Sequence, residues 1–444
     1  MSDSGEVDLE RDDDPRSLLL GAPMGAYRIT ALAVTIALCA LDGFDVLAIT
    51  FAAPAIVREW GVGKLALGSA LSAGLFGMAA GSLLIAPAAD RFGRRPLIFI
   101  SLTLMCAATL WTAFAQDVTG LTLSRFVTGL GIGAMIAVIN PLAAEHSNAR
   151  RRDLALSLLN IGYPIGGVLG GFVAAYLLHL SNWRAIFITA AALAAVMAVA
   201  SWRFLPESVP YLLANSRAGA LDRVNIYLER CGLPPVASLP ACDRQPALPL
   251  FALFRGGAAA VTLKITLIYF LYVVSLFYIQ SWLPALVAMA GFSPAQGALA
   301  SVCLNLGGIA GGIVIGAASA RVGLKQIVVA AFFLGAGSIA LFGVLPASFS
   351  AIIAGSALLG LTLFGGMIGL YAVVARTFPA HMRASGTGFA IGIGRFGAAL
   401  APLLAALLFK MGLGREGVSL AMAAPAVAAA LLLLTFRVKP PTTA

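Results

Sequence analysis

The chain is 444 residues long, 60% hydrophobic and only 11% charged, with a mean hydropathy of +0.95. That composition excludes a water-soluble globule, because too little polar surface exists to cover one. The formal net charge of +10 sits in short connections between apolar runs, so it reads as membrane topology and lends no support to a nucleic-acid partner.

The chain opens on an acidic segment, Asp3, Glu6, Asp8, Glu10, Asp12, Asp13 and Asp14, that reads as a solvated, disordered tail. No cleavable signal pattern is expected before the first span, since this segment is acidic and the apolar run after it is too long for a signal peptide core. Apolar runs of about 18 to 25 residues, enough to cross a bilayer, are centred near residues 40, 77, 106, 132, 167, 194, 272, 306, 336, 362, 397 and 426. They predict an all-α polytopic membrane protein of twelve transmembrane helices. The only long polar connection lies between the sixth and seventh runs. The expected organisation is a disordered acidic tail over 1–27, a six-helix bundle over 28–204, a central loop over 205–260, a second six-helix bundle over 261–437 and a short tail over 438–444.

Arginine and lysine set the orientation. Connections after even-numbered spans carry Arg91, Arg94, Arg95, Arg150, Arg151, Arg152, the run from Arg203 to Lys264, Arg321, Lys325, Arg376 and Arg383; those after odd-numbered spans carry only Arg58, Lys64, Arg184, Lys410 and Arg415. The expectation is a multi-pass protein of a bacterial inner membrane with both termini and the central loop cytoplasmic.

Parts for catalysis are missing. His146, His179 and His381 are scattered at span ends, no nucleotide-binding loop appears, and no cluster has metal-ligand spacing. Of the five cysteines, Cys39, Cys106 and Cys303 lie within spans and Cys231 and Cys242 in the central loop, at spacings that make no framework. No metal or cofactor is implied.

Two features point to transport. Asp42 and Asp45 lie inside the first apolar run, where a carboxylate costs on the order of 3 kcal/mol by insertion scales and therefore defaults to a functional role. Three residues apart, they share a helix face, and two carboxylates in a poorly solvated cavity cannot both ionise cheaply, which suits a group that takes and releases a proton. The second feature is an internal repeat at an offset of 230 residues: Gly77, Gly81, Arg91 and Gly93 recur as Gly307, Gly311, Arg321 and Gly323, and Gly162 and Gly167 recur as Gly392 and Gly397. Parallel halves of this kind place a binding site between them at mid-membrane depth.

The run Gly81 to Pro96, GSLLIAPAADRFGRRP, resembles the loop between spans two and three of the major facilitator superfamily. In that reading Asp90, Arg91, Arg94 and Arg95 form a charge lock between helix ends that gates the cytoplasmic side. The resemblance implies two six-helix bundles related by pseudo-two-fold symmetry, and a monomer. Glu145 and Arg383, near cytoplasmic ends of spans, read as further gate partners; in the family picture the acid at the end of span four pairs with the arginines of the Asp90 loop.

Four segments narrow the resemblance. Leu41 to Pro54, LDGFDVLAITFAAP, Ser124 to Gly133, SRFVTGLGIG, Ser281 to Gly291, SWLPALVAMAG, and Arg376 to Gly397, RTFPAHMRASGTGFAIGIGRFG, look like the first, fourth, seventh and eleventh spans of aromatic acid:proton symporters. Arg395, well inside the eleventh span, offers a planar fork to a substrate carboxylate. Arg125 either takes part in proton coupling with Asp42 and Asp45 or forms a structural pair with one of them. Among the aromatics of the seventh span, Tyr269, Tyr272, Phe277 and Tyr278, a subset, Tyr272 or Tyr278, is expected to face the cavity and stack on an aromatic ring. Asn160 and Asn305 are intramembrane amides suited to a ring hydroxyl or to helix packing.

Two rival signals are weaker. Gly162 to Gly167, GYPIGG, partly resembles a motif of drug:proton antiporters, and Pro206 to Leu213, PESVPYLL, is similar to a loop that sugar porters share with aromatic acid symporters. Only one glutamine, Gln280, lies in the seventh span, few neutral groups for a polyol. The expected protein is a proton-coupled importer of a small organic anion, most simply a benzoate-type carboxylate. A dicarboxylate carrier, a drug:proton antiporter and a ligand-binding sensor on a carrier scaffold remain as alternatives.

Overall fold

A computed structural model of the chain describes residues 14–214, 219–239, 254, 258–346, 348–378 and 382–436. Among the described residues twelve helices are long and apolar enough to cross a bilayer: Ala26–Trp60, Lys64–Ile85, Arg94–Ala113, Val118–Glu145, Leu154–Leu180, Arg184–Phe204, Ala259–Met289, Pro294–Ser319, Leu324–Val344, Phe349–Val374, Gly386–Lys410 and Arg415–Leu434. They are spans 1 to 12 below. Asp117 caps span 4 by accepting from the Gly120 amide at 2.6 Å, and Ser293 with Gln296 forms a reciprocal capping box at the start of span 8.

The 230-residue repeat is realised as one packing solution used twice. A Cβ at Gly77 would lie 2.1 Å from the Phe126 carbonyl oxygen of span 4, and a Cβ at Gly307 would lie 2.1 Å from the Ala357 carbonyl oxygen of span 10. Gly81 and Gly311 repeat this against Leu130 and Leu361. In hydrocarbon, where lipid tails are as apolar as side chains, such close approach between helix backbones is what holds neighbours together. At the end of each of these helices, Gly93 and Gly323 adopt φ of +103° and +95°, a conformation open to glycine that redirects the chain into the next span. The equivalence is incomplete, since a Cβ at Gly162 would meet the span 1 backbone whereas one at Gly392 would meet open space.

The amino-terminal segment departs from expectation. Residues Pro15–Gly21 form a helix whose start is capped by Asp14, with proline at its first position. Leu19 is buried against Val209, Leu213, Val224 and Tyr227 of the central connection, which folds into the helices Val209–Ala214 and Ala220–Arg230. The expected disordered tail over 1–27 therefore gives way to ordered chain at Pro15, because this stretch carries its own apolar anchor; the run of acids before Asp14 lies outside the described residues. The small helices sit together on one face, called here the terminus side.

Candidate functional site

The two intramembrane aspartates, expected to act as one pair, have different partners. Asp45 belongs to a buried centre within the first half: Arg125 Nη1 of span 4 lies 3.5 Å from its Oδ2, Arg125 Nη2 donates to its main-chain oxygen at 2.8 Å, and the Thr109 hydroxyl of span 3 donates to its Oδ1 at 3.1 Å. Thr112, Ser124 and Thr128 line the same region. Arg125 is thus an ion-pair partner of Asp45, which decides between the two aspartates left open above.

Asp42, one turn away, is also buried, yet its Oδ1 has no hydrogen-bond partner. It lies within electrostatic reach of Asp45 and, across the boundary between halves, of Arg395. Arg395 donates to the Ser82 hydroxyl of span 2, bridging the halves. Ser82 sits in a π turn over Gly81–Ile85, a local widening that often marks working positions in helices; its hydroxyl also lies 2.9 Å from the Met78 and Gly133 carbonyl oxygens.

Other polar groups converge here. Tyr163 of span 5 lies near Asp42, Cys39, Gln280 and Tyr371. Gln280 is buried with its amide beside the Tyr163 hydroxyl. Asn305 donates from Nδ2 to Ser301 at 2.8 Å, leaving a buried Oδ1 unpartnered beside Gly167. Tyr269 and Tyr371 approach with ring centroids 5.9 Å apart, and Tyr269 packs on Gly394 next to Arg395. Unmatched buried polar atoms each cost about 1–3 kcal/mol, so a group of them between the halves marks the candidate binding surface.

Of the expected ligand-contacting residues, Arg395 and Asn305 lie in this cluster. Asn160 is exposed one turn toward the terminus side of Tyr163, on the same face of span 5, with its amide bonded to Leu156 at 2.8 Å. Tyr272 and Tyr278 are corrected: both are buried inside the second half. Tyr272 stacks on Phe332 at 3.8 Å and donates to the Leu363 carbonyl at 2.7 Å, and the Tyr278 hydroxyl is 2.9 Å from Ser419 Oγ. Helical phase turned them toward spans 9, 10 and 12, whereas Tyr269 of the same helix faces the boundary. Tyr163, Tyr371, Ser82 and Gln280 were not selected from the sequence as ligand contacts. The one available signal was phase, since Tyr163 lies three residues after Asn160.

The halves close on each other away from the terminus side. Added methyls at Gly68 and Gly171 would lie 2.3 Å from Ala406 Cβ and 2.5 Å from Val302 Cγ2 respectively, Arg58 donates to the Phe292 carbonyl at 3.3 Å, and Lys64 sits 4.8 Å from the Phe409 ring centre. On the terminus side Arg94, Arg95, Glu145 and Glu207 make charge contacts within the first half and the central connection. Glu145 pairs with Arg94 and accepts from Ser208 Oγ at 2.7 Å. Glu207 of the PESVPYLL segment accepts from the Arg94 and Arg95 amides at 2.9 and 3.2 Å, a carboxylate placed at the start of span 3 where the helix dipole favours it. Arg95 lies over the Trp202 ring. The Arg91 carbonyl accepts from the Tyr211 hydroxyl at 3.3 Å. The side chains of Asp90 and Arg383 lie outside the described residues.

Two six-helix halves, joined at one face and lined at mid-depth by unmatched polar groups, define a two-bundle membrane carrier. The Major Facilitator Superfamily pattern matches residues 34–303 and 265–444, and the chain belongs to that superfamily. It is 30% identical over 427 residues to the gallate transporter of Pseudomonas putida, spanning 95% of this chain and 94% of that protein. It is 31% identical over 428 residues to the 4-hydroxybenzoate transporter PcaK of Pseudomonas aeruginosa, spanning 95% of both. Its fold matches the xylose transporter XylE of E. coli, solved in a partially occluded inward-open conformation, with a TM-score of 0.72 at 16% identity over 93% of this chain and 98% of that one.

Proposed function

We propose that the protein imports an aromatic carboxylate together with a proton across a bacterial inner membrane, with the terminus side cytoplasmic. The observation that carries this reading is Asp42 within electrostatic reach of Arg395 across the boundary between halves, each buried or half-buried and neither held in an ion pair among the described residues. A carboxylate ligand meets the Arg395 fork. Asp42, with no ion pair to give up, changes charge with a proton without breaking Asp45–Arg125. Tyr269 and Tyr371 supply ring faces beside the cation, and the unmatched Asn305 Oδ1 and the Gln280 amide beside Tyr163 supply polar atoms for ring substituents. A relative that carries gallate and another that carries 4-hydroxybenzoate, both hydroxylated benzoates, support this chemistry.

In the cycle we envisage, proton and anion enter while the face away from the termini is open, and neutralising Asp42 and Arg395 together lowers the cost of closing low-dielectric walls around them. The halves then rock to the arrangement seen here, sealed through Arg58, Gly68 and Gly171. The Arg94–Glu145 pair and the neighbouring Asp90 loop form the opposite gate. One proton with one monoanion makes the step electroneutral.

The test is uptake of radiolabelled 4-hydroxybenzoate into proteoliposomes under an inward proton gradient, for the native chain and Arg395→Gln. Accumulation above equilibrium, with half-saturation raised about tenfold or more by loss of a charge-assisted contact, is expected. Absence of accumulation for benzoate, 4-hydroxybenzoate and gallate alike, with gradient-driven efflux of cationic dyes, would hand the assignment to an antiporter.

A further inference from the structure

A second cavity, walled largely by apolar side chains such as Leu19 and Val209 but rimmed by charge, lies on the terminus side, separate from the site between the halves. It has a volume of about 150 Å³ and is lined by the helix Pro15–Gly21, the end of span 4 and the central connection, with Arg16, Arg152, His146 and Tyr227 on its walls. That volume holds a group the size of phosphate or a short carboxylate.

Three observations describe what it is built to hold. His146 is buried, its Nδ1 is 2.9 Å from the Tyr227 hydroxyl, and its Nε2 has no partner. The direction of the Tyr227–Nδ1 hydrogen bond follows the tautomer; an acceptor in the cavity selects the form in which Tyr227 donates to Nδ1 and the ring proton sits on Nε2. Behind the ring, Arg28 is 1% exposed. It is held only by the His146 and Ala22 carbonyls, at 3.0 and 3.4 Å, with one guanidinium nitrogen unpartnered and no ion pair among the described residues. A buried, uncompensated cation costs several kcal/mol and leaves a positive potential that a bound anion offsets. Finally, Arg16 and Arg152 reach the rim from two different elements. Glu145 also lines the cavity, but its oxygens are taken by Arg94 and Ser208.

We propose that this cavity is an anion-binding site, taking a phosphate-like or small carboxylate group between Arg16, Arg152 and the His146 Nε2–H. The occupant would tie the amino-terminal helix to span 4 one residue from Glu145, the partner of Arg94. The site thereby couples an anion on the terminus side to the residues assigned above to the gate.

The full-length protein in detergent is heated in rising inorganic phosphate, or acetate, against chloride at constant ionic strength. Phosphate or acetate raises Tm saturably. In the exposed double variant Arg16→Gln/Arg152→Gln, half-saturation rises at least about tenfold, the loss expected for charge-assisted contacts, while Arg395→Gln leaves it unchanged. No saturable shift with either ion, or an equal shift in the double variant, overturns the site. A shift lost in Arg395→Gln also overturns it, placing the ion between the halves. Repeating the titration in nanodiscs with and without phosphatidylglycerol tells the source. Competition by that lipid identifies a headgroup phosphate, and an unchanged titration identifies the free ion; each supports the site.

Discussion

Neutralising the two aspartates separately tests the division of roles that distinguishes Asp42 from Asp45. Asp45 and Arg125 each expose about 2% or less of their surface, and removing one member of a buried pair costs about 3–5 kcal/mol because the other charge is stranded. An unfolding entropy of about 2.1 cal/mol/K per residue amounts to about 0.9 kcal/mol/K for a chain this long, so Asp45→Asn should lower Tm by about 3–5 °C. Asp42→Asn removes no ion pair and leaves an isosteric amide where Oδ1 already lacks a partner; its Tm should move by about 1 °C or less. Uptake should rank the two on a different axis. Asp42→Asn should abolish proton-driven accumulation of labelled 4-hydroxybenzoate while sparing exchange of labelled for unlabelled substrate across the membrane, which needs no net proton movement. The assay pair is thermal unfolding in detergent with gradient-driven uptake and exchange in proteoliposomes. Normal accumulation by Asp42→Asn, or equal loss of Tm in both variants, would refute the assignment.

The helix contacts and the terminus-side histidine make further predictions. Gly77→Val places a branched side chain where even a Cβ would be 2.1 Å from the Phe126 carbonyl. It should sharply reduce folded yield by size-exclusion profile, and Gly307→Val should do the same at its symmetry mate, whereas Gly392→Ala, with open space around it, should be tolerated. His146 is held at a pKa of about 3, first by burial and then by Arg28 and Arg94. A base depressed in the folded state binds its proton in the unfolded chain first, so its stability contribution is complete above about pH 6.5 and is lost as pH falls toward 3, at up to about 1.4 kcal/mol per pH unit. In anion-free buffer, Tm should therefore fall more steeply between pH 6.5 and 5 for the native chain than for His146→Gln; parallel curves would count against a buried neutral histidine.

Twelve spans, two halves and a repeat were legible in the sequence because each rests on a signal that needs no third dimension. Apolar length reports bilayer thickness, and glycines spaced at 230 residues report a helix contact that both halves reuse. Asp42, Asp45, Arg125 and Arg395 stood out for a similar reason, since an ionisable group in hydrocarbon is costly wherever it points. The motif around Arg94 and Arg95, with Glu145 at the end of span 4, likewise announced charges at helix ends, and the structure pairs Arg94 with Glu145. What only the tertiary structure decided was direction and partnership. One helical turn separates Asp42 from Asp45, yet span 4 supplies a guanidinium to one and the opposite half faces the other. Tyr269 and Tyr272 are three residues apart on one helix, and the packing of spans 9 and 10 takes Tyr272 while the boundary between halves keeps Tyr269. Leu19, the middle of three successive leucines, becomes the buried anchor only because Val209 and Val224 fold up beneath it. Composition and spacing state which groups must find a partner; which partner each one finds is set by helix rotation and by contacts between segments far apart in the chain.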